Sequence, residues 1–77
     1  MIFTFAEQIE EFILDTYRVC SCKVSSNDAI DYIIEDNKKQ YNVTAFSDTK
    51  SVRVTKVNGT DKHAKMIEED IKAHMKM

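Results

Sequence analysis

The apolar residues of this chain change their spacing twice. Phe5, Ile9, Phe12 and Ile13 recur at helical intervals with Glu7, Glu10 and Glu11 off that stripe, and Thr4 followed by Glu7 makes a capping box. A helix is expected over about residues 4–16. From Arg18 the period falls to two, and after Val57 it returns to the helical value. This order of periods predicts a helix, a block of strands and a second helix.

Within the strand block, Cys20, Cys22 and Val24 fall on one face and Val19, Ser21 and Lys23 on the other. The alternation resumes with Ile30, Tyr32 and Ile34, stops at residues 36–39, and returns with Tyr41, Val43 and Ala45. After a turn at residues 47–49, Val52 and Val54 begin a last strand ending near Val57, where Asn58-Gly59 supplies a permissive exit. Thr60 or Asp61 caps the second helix. Its apolar stripe is Ala64, Ile67, Ile71 and Met75, and Lys65 with Glu69 and Glu68 with Lys72 are spaced as i, i+4 pairs. The remaining strand face is mostly polar, so both helices are expected on one side of the sheet. The fold class is therefore α+β: helix, antiparallel β-meander of three or four strands, helix. At 77 residues the chain has material for one core, and a single domain over residues 1–77 is expected.

A hydrophobic fraction of 43% and a charged fraction of 31% belong to a globular chain rather than a disordered tail. No apolar run approaches the ~18 residues of a membrane span, and acids stand near the start where a signal peptide needs bases. A cytoplasmic protein without a membrane partner is expected, and Cys20 and Cys22, too close in sequence for an unstrained bridge, are expected as reduced core residues.

Chemistry finds little support. A closed zinc site needs four ligands, and the only other soft donors, His63 and His74, are eleven residues apart on one helix. That places them about 16 Å apart along its axis. Neither lies on the apolar stripe, so neither serves as a base for a cysteine nucleophile. No catalytic residues, metal or cofactor are expected, and the chain is read as a binding protein rather than an enzyme.

Charge is divided along the sequence. Residues 1–37 carry eight acids against Arg18 and Lys23, a balance of −6, whereas residues 38–65 carry seven bases against Asp48 and Asp61, a balance of +5. The last twelve residues add −1, which closes the total of −2. Such a division steers partners. Two candidate surfaces follow. One is acidic, formed by Glu7, Glu10, Glu11 and Asp15 of the first helix, with help from Asp28, Asp31, Glu35 and Asp36. The other is basic, formed by Lys50, Arg53 and Lys56 around the last strand and by Lys62 and Lys65 at the start of the second helix, where backbone N–H groups favour an anion.

The order helix, meander, helix, with Gly59-Thr60-Asp61-Lys62-His63-Ala64-Lys65 opening the second helix, resembles the double-stranded-RNA-binding domain. The resemblance implies a lysine-rich first turn, ending in Ala-Lys, that grips phosphates across the major groove while the first helix and a loop read minor grooves. Lys62, Ala64 and Lys65 match that turn. Asp61 stands where the family prefers lysine, and Glu7, Glu10 and Glu11 on the first helix oppose phosphate. The chain also looks similar to the small inhibitors that phages and mobile elements encode, which occupy a site on a host protein. That resemblance implies an acidic first helix meeting a basic groove. The leading expectation is thus a regulatory or inhibitory protein that binds a host or cognate protein, with RNA binding as the alternative. Ile33, Phe46 and Val57 on the open sheet face add the prospect of a homodimer through the sheet.

Overall fold

In the computed structural model, which describes residues 4–26 and 28–76, the chain runs through α1 (Phe5–Thr16), β1 (Arg18–Ser26), β2 (Ala29–Asp36), β3 (Lys39–Phe46), β4 (Ser51–Lys56) and α2 (Asp61–Met75). Both helices begin where side-chain oxygens accept their first free N–H groups. The Thr4 hydroxyl accepts from Glu7 N at 3.2 Å and the Glu7 carboxylate accepts from Thr4 N at 3.2 Å, completing the capping box. At α2 the cap is Thr60, which accepts from His63 N at 3.2 Å, and Asp61 is the first helical residue.

The strands form one antiparallel sheet in the order β1-β2-β3-β4. Asn37 and Lys38, both with positive φ (55° and 64°), link β2 to β3 in a two-residue turn whose hand matches the twist of the strands. The helix-facing side chains of the sheet are Tyr32, Ile34, Tyr41, Val43, Ala45, Val52 and Val54, all buried. Ile9 and Ile13 of α1 and Ala64, Ile67 and Ile71 of α2 pack onto them, so both helices cover the same face. Among the described residues no polar or charged residue is buried, and no helix is long and apolar enough to cross a membrane.

The first strand departs from the expected pattern. Val19 pairs with Ile34 and packs against the core, then Ser21 pairs with Ile33, so Cys20 is an extra residue in a β-bulge. Beyond the bulge Cys22 and Val24 do turn to the helix side, opposite Tyr32 and Ile30. They are nonetheless exposed, as is Cys20, on an edge strand with a single neighbour. The expectation that Cys20 and Cys22 are core residues is therefore corrected: both are free surface thiols on an edge strand.

The opposite edge is capped at one position. α2 lies against β4, and the Glu68 carboxylate accepts the outward N–H of Val54 at 2.9 Å while Lys72 Nζ donates to Glu68 at 3.1 Å. Of the two i, i+4 pairs expected on α2, this is the one that forms among the described residues. Partial burial works against the Glu68 charge. The bonds from Val54 and Lys72, with the fields of Lys72 and Arg53, outweigh it and hold the carboxyl below its ordinary value of 4.5. A carboxylate depressed in the folded state stabilises the fold above its unfolded pKa, and that contribution is lost as pH falls through the folded pKa. Glu68→Gln is accordingly expected to cost about 1 kcal/mol at pH 7, the difference between a charged and a neutral acceptor. The gap in urea midpoints between the two proteins should narrow as pH falls through the folded pKa of Glu68 and close below it, where both side chains are neutral.

Past β4 the chain is tied back to the start of β3. Val57 N donates to Gln40 O at 3.0 Å, and Gln40 N donates to the Asn58 side chain at 2.6 Å, so Asn58 stands in for a strand partner and ends the ladder. This clamp sets Gly59 against the ring of Tyr41 and delivers Thr60 to the cap of α2.

Candidate protein-binding surface

The acidic residues of α1 lie on one side of a short helix because i, i+3, i+4 and i+7 or i+8 spacing stacks them there. Glu7, Glu11 and Asp15 are exposed and Glu10 is half-buried. Glu7, Glu10 and Glu11 surround Leu14, which is 59% exposed, in a shallow depression of about 200 Å³. Among the described residues none of these four carboxylates joins an ion pair; the pairs present are Lys56 with Asp61, His63 with Asp36 and Lys72 with Glu68.

On its other flank α1 meets α2. Phe12 stacks on His74 with ring centroids 4.3 Å apart, and Glu11, Phe12, Asp15, His74 and Met75 border a groove of about 400 Å³. The acidic surface thus has an aromatic margin toward α2 and a strand margin toward β1. On the strand margin the α1 charges reach the sheet: burial first, then Glu10, raise the Cys22 thiol, and burial, Glu10, Cys22 and Glu7 together push the Tyr32 phenol up to about 12. A thiol raised in this way stays protonated near neutral pH, the opposite of what activates a cysteine nucleophile.

The other acids are placed elsewhere. Asp31 faces the open side of the sheet and accepts from the Thr44 hydroxyl, with Glu35 on that same side. Asp36 is engaged by His63, with Nε2 to Oδ2 at 2.6 Å, while the His63 ring lies 5.2 Å from that of Tyr41. Asp28 is exposed beside the β1–β2 turn.

The basic candidates do not converge. Lys62 and Lys65 are exposed at the start of α2, and Lys56 is beside them but 3.6 Å from Asp61. Arg53 projects from the opposite face of the sheet, because it alternates with the inward Val52 and Val54. Lys50 sits in the turn before β4, at the far end of that strand from Lys56 and roughly 20 Å from it by strand rise. The open-face apolar residues are likewise separated. Ile33 and Phe46 are split by the Asp31–Thr44 hydrogen bond, and Val57 lies beyond the end of β4.

Comparison with known protein families, with curated proteins and with solved structures finds no match for this chain. What the structure establishes is an α-β4-α order with one antiparallel four-stranded sheet. Two features of the surface escaped the sequence reading: Leu14 at the centre of the acids, and the open margin of β1 beside them. The signal for Leu14 was present, since it falls off the stripe of Phe5, Ile9, Phe12 and Ile13.

Proposed function

We propose that this chain is a non-catalytic regulatory or inhibitory protein that binds a basic surface on a partner protein through the exposed face of α1. One contrast carries the reading. Glu7, Glu10, Glu11 and Asp15 share one helix face and no ion pair neutralises them among the described residues, whereas the candidate bases are spread over two faces and both ends of β4. A single-signed patch with an apolar centre at Leu14 attracts a partner at long range and excludes water on contact. A basic groove that otherwise receives nucleic acid fits this chemistry, and its occupation would inhibit the partner.

The test is capture of a partner on the immobilised protein, identified by mass spectrometry and repeated with charge reversals. Glu10→Lys combined with Glu11→Lys should weaken capture by about tenfold or more, and Lys62→Glu should leave it unchanged. Undiminished capture by the double variant overturns the reading. Salt-sensitive duplex RNA binding that loses roughly two units of salt slope in Lys62→Glu with Lys65→Glu would replace it with the RNA-binding alternative.

A further inference from the structure

One margin of the sheet is capped at Val54 and the other is open, and the open one adjoins the acidic face. β1 has nine residues and a single neighbour, β2. Among the described residues no side chain caps its outer edge as Glu68 caps Val54 on β4. An unpaired edge of this kind is a template for another strand. Register breaks after Val19 and after Val24 leave Ser21, Cys22, Lys23 and Val24 as a regular run between two bulges. Bulges end pairing, so this edge suits a short extended segment rather than a long strand.

The surroundings select the chemistry of that segment. A strand added to β1 would lie one strand spacing, about 4.8 Å, further out, beyond the flank of α1 that carries Glu7, Glu10 and Leu14. Its helix-side residues would stand next to Cys22 and Val24, which are exposed, and within the field of Glu7 and Glu10, which already reaches Tyr32. The bases of β1 do not cancel that field. Arg18 and Lys23 point to the other side of the sheet, in register with Glu35 and Asp31. A second copy of this chain is disfavoured as the occupant, because two-fold pairing of β1 with β1 would bring the α1 carboxylates of both copies to one seam.

We infer that β1 receives an extended segment of a protein partner as a fifth strand, with lysine, arginine or apolar side chains at every second position facing α1. This rests on the protein-binding reading above and specifies its mode: backbone pairing supplies affinity, and Glu7, Glu10 and Leu14 supply selection.

The experiment titrates the full chain with a capped nonapeptide, Lys-Thr-Val-Thr-Lys-Thr-Val-Thr-Lys, read by backbone amide shifts and hydrogen exchange. Three controls accompany it: the same peptide with glutamate for lysine, and two versions N-methylated at alternate residues, one in each phase. The expected result is saturable binding with slowed exchange at alternate amides of Ser21 to Val24. The glutamate peptide should bind at least about tenfold more weakly. One N-methylated phase should lose about tenfold or more while the other binds nearly as the parent, since only one set of peptide N–H groups can face β1. Equal binding of both N-methylated peptides, with shifts confined to α1, overturns strand addition while leaving the acidic-face reading in place. Loss of capture in the Glu10, Glu11 reversal with no binding of any peptide does the same. Failure of both charge reversal and N-methylation to matter removes both. Concentration-dependent dimerisation with protection of the same amides overturns the proposal in favour of a second copy.

Discussion

Ile71→Ala is expected to remove roughly half of the folding stability of this protein. Ile71 is fully buried on α2, among the side chains that join both helices to the sheet. Truncation to alanine loses the transfer energy of three carbons and leaves a cavity that rigid neighbours fill only in part, at a cost of about 2–5 kcal/mol. A chain of 77 residues has a total stability of roughly 4–11 kcal/mol at the usual 0.05–0.15 kcal/mol per residue. Urea unfolding followed by far-UV circular dichroism should show a large fall in midpoint at a nearly constant slope. Met66, half exposed on the same helix, provides the control: Met66→Ala should stay within about 0.5 kcal/mol of the parent. Equal effects at the two positions would contradict the assignment of the α2 face that meets the sheet.

The second large effect is expected at Gly59, and its cause is the approach of another residue. A Cβ built on Gly59 would overlap the hydroxyl end of the Tyr41 ring. That ring is only 2% exposed and has His63 on one side, so it has little freedom to retreat. Gly59 itself cannot retreat either, since Asn58 is clamped to Gln40 just before it and Thr60 caps α2 just after. Gly59→Ala should cost about 1–3 kcal/mol through overpacking, and Gly59→Val more. A double-mutant cycle isolates the cause. Tyr41→Leu alone is destabilising, but in that background Gly59→Ala should cost at least 1 kcal/mol less than in the parent, because the group it strikes is gone. Additive effects would trace the glycine requirement to its backbone instead.

Much of the fold is legible from local pattern. The change of apolar period at Arg18 and again at Thr60 locates both helices and the strand block, and the Thr4–Glu7 capping box places the start of α1 at its observed position. What is not legible depends on a single residue or on distant partners. Strict alternation puts Cys20, Cys22 and Val24 together. The bulge at Cys20 brings Val19 inward instead, and period-two reasoning has no means of seeing an inserted residue. The exposure of Cys22 and Val24 follows from the place of β1 at the edge of the sheet, which no spacing within β1 encodes. His63 with Asp36 is similarly hidden, since its partners are 27 residues apart and meet only once α2 crosses the sheet. The candidate surface divides the same way. Its acids were readable because one helix carries them all, whereas the basic set dispersed because strand alternation sends Arg53 to the side away from α2.

The Glu68 bond to Val54 gives the two edges of this sheet different readiness to grow. Polymer chemistry separates units with two reactive ends, which form long chains, from units with one, which stop at a pair. With one outward amide of β4 already held by Glu68 and no such bond on β1 among the described residues, this protein has one guarded end and one free end. Association through β1 consumes the unguarded end of each participant. A fifth strand on β1 would therefore leave only the guarded β4 edge for further growth, which works against open-ended assembly.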